Sequence, residues 1–302
     1  MKIAVSGLGR MGGQIAQKLS ENGHQVIAHN RSPEPIKTAV SFGAKAAYSK
    51  EEVIKLFGDH RPVIWLMLPD SIIEHELEEW LKLLPKDSLL IDGGNSDFRQ
   101  TQLHFDLVQA AGITLVDVGT SGGVWGYKNG FSMMVGGDQG AFKAIEPVLK
   151  TLAAPDGAYQ YFGPSGSGHF VKMVHNAIEY GMMQSLAEGY RMLKEGPYKE
   201  IDLAAAGEVW QHGSVVTSWL NELTRQALRE NPTLEGVEGK VAESGEARWT
   251  LEVARQIKLP MPAIQAAFDV RVASQDGETN FATKLLAAMR NKFGGHQINP
   301  EK

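Results

Sequence analysis

Cysteine is absent from the 302-residue sequence. That excludes a disulfide framework, a thiolate zinc site and a cysteine nucleophile, and it fits a reducing compartment. A basic surplus is missing too, with 30 Lys and Arg against 35 Asp and Glu for a net charge of −5. Nucleic-acid binders usually carry the opposite balance, so no nucleic-acid partner is expected. No apolar run approaches the roughly 20 residues that span a bilayer. The most apolar segment, VIWLMLP (63–69), has the length of a buried parallel strand. At the N-terminus, Gly7 and Arg10 interrupt MKIAVSGLGR too early for a signal peptide, and it reads as a first strand. HELEE (75–79) lacks the second histidine of a zinc helix, and the nine histidines do not cluster, so no metal is expected. These absences point to a soluble cytoplasmic protein that needs no membrane.

What is present is an alternation of short apolar runs with amphipathic stretches. Strands are expected at 2–6, 25–29, 63–68, 89–92, 114–118 and 131–136, with helical patterns such as IAQKLSENG and IIEHELEEWLKLL among them. Strands separated by helices suggest right-handed crossovers and a parallel sheet. Asp70 suits the N-cap of the second of those helices, and Gly23 the C-terminal stop of the first. PSGSG (164–168) is a small polar connector, after which the pattern is helical: 169–194, 201–210, 215–230, 247–257, 262–274 and 279–292. The expected fold is α/β followed by all-α, with residues 1–165 a nucleotide-binding domain and 166–302 a helical one.

GLGRMG (Gly7, Leu8, Gly9, Arg10, Met11, Gly12) is a GxGxxG motif between the first strand and the first helix. The first glycine makes the turn, the second admits a pyrophosphate, and the third allows close helix–strand packing. The helix N-terminus adds free N–H groups for the phosphates. This context points to a doubly wound Rossmann domain binding NAD or NADP. Where NAD-binding proteins usually place an acid on the ribose, the chain reads HNRSP, with Asn30, Arg31 and Ser32. A carboxylate there would repel a 2′-phosphate and arginine can bind one, so NADP is the expected preference.

HFVKMVHNAIEY (169–180) places Lys172, His175, Asn176, Glu179 and Tyr180 at i, i+3, i+4, i+7 and i+8, one face of a helix. Two turns put Lys172 and Glu179 about 10 Å apart along the axis, within reach of opposite ends of a small substrate. A polar outer face of a solvated helix would show charge alternation. Here the other side is apolar (Phe170, Val171, Met173, Val174, Ala177, Ile178) and is expected to be buried.

GHFVKMVHNAIEYG resembles the signature of the decarboxylating 6-phosphogluconate dehydrogenases, within the β-hydroxyacid dehydrogenase superfamily. DGGNS (92–96) is similar to their substrate and nicotinamide loop, TSGG (120–123) to their SGG loop and RNKFGGH (290–296) to their tail. The chain looks like the short form. The resemblance implies Lys172 as the base at the C3 hydroxyl and Glu179 as the acid that protonates C1. Asn95, Ser121, Gly122, Gly123, His175 and Asn176 would hold the carboxylate and hydroxyls, with Asn95 also near the nicotinamide. Tyr180 and Arg271 would contact the phosphate, joined by Arg290 and His296 from the neighbouring subunit of a homodimer. It implies oxidative decarboxylation in the pentose phosphate pathway. The sequence departs from the family where the long form has a phosphate-binding lysine, since Ser244 stands there, and Arg248 either compensates or caps a helix. Two alternatives are kept: a 3-hydroxyisobutyrate-like dehydrogenase, and a non-catalytic NADP-binding relative.

Overall fold

The computed structural model describes residues 1–155 and 157–295. It divides into two compact units, Met1–Met173 and Val174–Lys302. In chain order the first holds β1 (Lys2–Ser6), α1 (Arg10–Glu21), β2 (Gln25–His29), α2 (Pro33–Ser41), β3 (Lys45–Ala47), α3 (Lys50–Phe57), β4 (Val63–Leu66) and α4 (Asp70–Leu81). These are followed by β5 (Leu89–Asp92), α5 (Phe98–Ala110), β6 (Thr114–Ser121), α6 (Gly126–Asn129), β7 (Ser132–Gly137), α7 (Gln139–Leu152) and β8 (Tyr159–Gly163). The division falls inside a long helix, α8 (Ser167–Glu195). The second unit continues with α9 (Leu203–Gln211), α10 (Trp219–Glu230), α11 (Glu246–Gln256), α12 (Pro262–Gln275) and α13 (Phe281–Gly294).

The eight strands form one sheet in the order β3-β2-β1-β4-β5-β6-β7-β8. All neighbours pair in parallel except β6 and β7. Only residues 122–131 join those two, too few for a crossover back to a parallel start, so the chain reverses. Alternate residues face opposite sides of the sheet. Ile3, Val5, Trp65, Ile91 and Val118 enter one apolar layer, and Ala4, Ile64, Leu66, Leu90 and Leu115 the other. The order reverses at β1 and β4, the place where doubly wound sheets bind their ligands. The core of the second unit is separate, built from Met183, Ala187 and Tyr190 of α8 with Leu203, Leu220, Leu228, Leu285, Leu286 and Met289.

Several local expectations are corrected. Pro69, not Asp70, is the N-cap residue of α4, and Asp70 opens the helix while its Oδ1 accepts from the Asp97 amide at 3.1 Å. β4 stops at Leu66 rather than residue 68, because the chain leaves the sheet toward Pro69. α10 begins at Trp219, since the Ser218 hydroxyl accepts from the Asn221 amide at 3.1 Å and caps it there. β3 and β8 were not legible. β3 is three residues of Lys and Ala, which have little strand preference. β8 is an edge strand with no fully buried residue.

Candidate active site

The loop after β1 is built by close approach. A Cβ on Gly12 would stand 1.9 Å from the Gly7 carbonyl oxygen, so α1 packs against the turn only because that position is glycine. Gly7 itself has φ +95, which a larger residue would strain to adopt. Gly9, the N-cap of α1, has nothing within 4 Å of where a Cβ would point. Its backbone therefore faces open space at the start of a twelve-residue helix, with no side chain capping it. That cradle fits the pyrophosphate of a dinucleotide. Asn30 Oδ1 accepts from the Leu8 amide at 3.0 Å, and Asn30 Nδ2 donates to Ser32 Oγ at 3.0 Å. The end of β2 is thereby tied to the glycine loop, while Arg31 remains exposed beside it.

DGGNS is held from within. Asp92 is fully buried, and its carboxylate accepts from the Gly94 amide (3.1 Å) and the Ser96 hydroxyl (3.0 Å). Asn95 alone in that run is exposed, so the loop presents one amide side chain. The SGG loop (Ser121, Gly122, Gly123) leaves the end of β6 with φ of +135 and +53 at its glycines. Gln14 of α1 fastens the turn that follows. Its Nε2 donates to the Val124 carbonyl (3.1 Å), and its Oε1 accepts from the Tyr127 amide (3.0 Å). The cofactor helix thus carries the SGG loop, a role nothing in the sequence announced.

α8 begins where β6 allows it. Asp117 is fully buried on β6, and its two oxygens accept from the Gly166 and His169 amides at 2.8 and 2.9 Å. A strand carboxylate therefore satisfies orphan amides at the helix start. On the same strand, a Cβ at Gly119 would lie 2.3 Å from Lys172 Cβ and 3.0 Å from the Gly168 carbonyl oxygen. Lys172 is 6% exposed and is seated against β6 by that glycine. We expect Gly119→Ala to push the helix away. It should cost about 1–3 kcal/mol of stability as overpacking, and about a hundredfold in turnover as Lys172 moves by an ångström or so. Melting curves and steady-state rates measure both; wild-type turnover would contradict this seating.

The rest of the polar face lies in the second unit. Asn176 Nδ2 donates to Glu246 Oε1 at 2.8 Å, and Asn176 Oδ1 stands 2.9 Å from His175 Nδ1. The Ser244 hydroxyl donates to Glu246 Oε2 at 2.6 Å, and the Ser244 amide donates to the Tyr180 hydroxyl at 3.1 Å. Arg271, 2% exposed, lies 3.3 Å over the Tyr180 ring. Burial holds its guanidinium below the ordinary range, to about 10, with Arg290 lowering it further and Tyr180 and Glu179 opposing. It remains a cation at neutral pH. Arg290, 8% exposed, is also lowered by burial, with Tyr180, Glu179 and Glu246 opposing. Two desolvated guanidiniums this close to each other constitute a site that favours an anion.

Lys172 is thus placed against β6, while His175, Asn176, Glu179 and Tyr180 stand with Arg271 and Arg290. Arg290 lies near enough to Tyr180, Glu179 and Glu246 of its own chain to feel their charge. It lies on α13, which Leu285, Leu286 and Met289 fix in the core. His296 lies outside the described residues. Arg248 is committed to Glu243 and lies 5.9 Å from the Phe268 ring centre, so it does not stand in for the lysine absent at Ser244. The expected burial of the apolar side of α8 is corrected: Met173 and Ala177 are buried, but Ile178 is 51% and Phe170 36% exposed. Lys172 and Tyr180 are buried with Met173 and Ala177, whereas His175, Asn176 and Glu179 are half-buried. Glu246, Asp117, Gly119 and Gln14 were missed. The burial of a glutamate such as Glu246 has no local signature, because one of its partners, Asn176, is 70 residues away.

A dinucleotide-binding sheet with a buried lysine on the adjoining helix defines a nicotinamide-dependent oxidoreductase. Residues 2–163 match the family profile of the NAD binding domain of 6-phosphogluconate dehydrogenase, and residues 168–297 match that of 6-phosphogluconate dehydrogenase, C-terminal domain. The chain belongs to the 6-phosphogluconate dehydrogenase family. It is 37% identical to YqeC of Bacillus subtilis over 98% of both chains. It is 36% identical to the NAD(+)-dependent, decarboxylating 6-phosphogluconate dehydrogenase of Haloferax volcanii, over 99% of this chain and 98% of that one. Among solved structures, Plasmodium falciparum 6-phosphogluconate dehydrogenase superposes with TM-score 0.80 at 25% identity, covering 96% of this chain and 70% of that one. Mycobacterium tuberculosis 3-hydroxyisobutyrate dehydrogenase shares the fold, with TM-score 0.73 at 21% identity over 94% of this chain and 97% of that one.

Proposed function

We propose that the chain oxidises and decarboxylates 6-phospho-D-gluconate to D-ribulose 5-phosphate and CO2, the cytoplasmic reaction of the pentose phosphate pathway. The observation that carries this reading is the pair of buried arginines, Arg271 and Arg290, beside Glu179 and Tyr180. A phosphate explains why two guanidiniums are desolvated there; a 3-hydroxyisobutyrate-like substrate has none to offer. A catalytically silent relative would have no use for Lys172 and Glu179, and both are present.

The bound dinucleotide supplies the hydride acceptor. In this reading Lys172 takes the proton of the C3 hydroxyl, which it can do only when neutral. The hydroxyl lies β to the carboxylate, so its oxidation gives a β-keto acid. Loss of CO2 then puts charge on the C3-derived oxygen, and the newly protonated Lys172 stabilises it. Glu179 delivers a proton to C1 of the enediol. Asn95, Ser121, Gly122, Gly123, His175 and Asn176 orient the carboxylate and hydroxyls, and Tyr180, Arg271 and Arg290 take the phosphate.

NADP is proposed as the preferred cofactor. Arg31 is exposed beside Asn30 and Ser32, with no carboxylate in that run to repel a 2′-phosphate. Steady-state kinetics with 6-phosphogluconate should show a higher kcat/KM for NADP than for NAD. Arg31→Ala should lower the NADP value roughly ten- to a hundredfold, the worth of a charge-assisted hydrogen bond, and leave NAD nearly unchanged. A preference for NAD that the variant does not alter would rule this out.

A homodimer is part of the proposal. Among the described residues no helix is long and apolar enough to cross a membrane, yet the second unit exposes Ile178 (51%), Met182 (46%), Val209 (70%) and Val215. A cavity of about 730 Å³ lined by Met182, Leu186, Trp210, Val215 and Val216 continues that surface. Apolar area of this extent usually belongs to an interface. Sedimentation of a fully active monomer would argue against it.

A further inference from the structure

Glu246 has no part in the roles assigned above, yet it is 2% exposed and lies among residues that have them. A buried carboxylate is costly unless each oxygen is hydrogen-bonded. Here Oε1 accepts from Asn176 Nδ2 (2.8 Å) and Oε2 from the Ser244 hydroxyl (2.6 Å). An ionised carboxylate can only accept. Asn176 must therefore turn its NH2 group to Glu246 and its carbonyl oxygen the other way. That oxygen stands 2.9 Å from His175 Nδ1. A carbonyl oxygen can only accept, so the nitrogen facing it must donate.

We infer that Glu246, acting through Asn176, sets the tautomer of His175, so that the neutral imidazole carries its proton on Nδ1 and offers Nε2 as an acceptor. The inference deepens the functional reading above and names the chemistry of one contact within it. A ring nitrogen that accepts recognises a hydrogen-bond donor, so any contact that His175 Nε2 makes with substrate is to a hydroxyl and not to a carboxylate or phosphate oxygen. Glu246 is a positioning residue and touches no substrate itself. The Ser244 that stands in place of the long form's lysine gains a purpose as well. It donates to the second oxygen of Glu246.

The spectroscopic test does not depend on what the substrate is. Imidazole 15N spectra of the full-length labelled protein, recorded above the usual histidine titration range, distinguish protonated from unprotonated ring nitrogens. Loss of a signal set in His175→Gln assigns the residue. The wild type should show His175 protonated on Nδ1. Glu246→Ala should shift the ring toward a mixture or toward Nε2–H, because Asn176 is then free to turn over. Glu246→Gln should restore the wild-type pattern, since its amide oxygen can still accept from Asn176 and its NH2 group can donate to Ser244. A wild-type ring protonated on Nε2 overturns the inference without any variant, and so does an unchanged tautomer in Glu246→Ala. The kinetic arm rests on the proposed function. Glu246→Ala should lower kcat/KM for 6-phosphogluconate roughly tenfold or more, in line with an unpaired buried group, with the KM for dinucleotide unchanged and most of the loss recovered in Glu246→Gln. A shifted tautomer in a protein whose wild type does not turn over 6-phosphogluconate would defeat the functional reading and leave this one standing.

Discussion

Lys172→Met should leave a folded protein that binds its dinucleotide normally but oxidises 6-phosphogluconate at least about a thousandfold more slowly. Methionine nearly matches the lysine stem, so the seat against Gly119 is kept and the packing of α8 on β6 is undisturbed. What disappears is the amine. Proton transfer by a positioned base is typically worth 10²–10⁴-fold. Stabilisation of the oxygen that becomes charged during decarboxylation is worth roughly 10²–10³-fold more. In the proposed mechanism both duties fall on one nitrogen, so a single variant slows both steps. Dinucleotide binding by calorimetry together with single-turnover absorbance separates the steps. Turnover within tenfold of wild type would remove Lys172 from the base role.

Glu179→Gln is the second large effect, and it should appear at a different step. Glutamine keeps the shape and the hydrogen-bonding reach but has no proton to give. Oxidation should still produce a reduced dinucleotide. Protonation at C1 of the enediol should slow by on the order of 10²–10⁴-fold. Glu179 lies close enough to Arg271 and Arg290 to influence both guanidiniums. The arginines that would hold the phosphate in the proposed reading are therefore neighbours of Glu179. Solvent-deuterium exchange at C1 of ribulose 5-phosphate reads this step directly. Wild-type exchange in the variant would leave the protonation to another group.

The parts of the fold legible in the sequence are those set by local chemistry. β1, β2 and β5 were placed to the residue because apolar β-branched runs ended at glycine, polar or charged residues. The glycine loop was legible because turn, pyrophosphate approach and helix packing each demand glycine at a fixed spacing. The face Lys172–Tyr180 was legible because helical periodicity alone brings those residues together. The missed features depend on pairing across the chain. Asp117 caps α8 from about 50 residues away, and Glu246 orients Asn176 from 70. Gly119 matters only because a lysine stem passes over it. The inward polar face of α8 also inverted the usual expectation. Hydrophobicity suggested burying Phe170 and Ile178, but the side carrying Lys172 and Tyr180 is the one the protein encloses.

In the proposed mechanism one helix, α8, supplies both the base for oxidation and the acid that completes a decarboxylation. Its most direct test is CO2 release and dinucleotide reduction measured together on a panel of hydroxy acids, including 6-phosphogluconate, its unphosphorylated counterpart gluconate and 3-hydroxyisobutyrate. One CO2 per reduced dinucleotide is expected from 6-phosphogluconate, with no comparable turnover of the others. Reduction without CO2, or efficient turnover of 3-hydroxyisobutyrate, would contradict it.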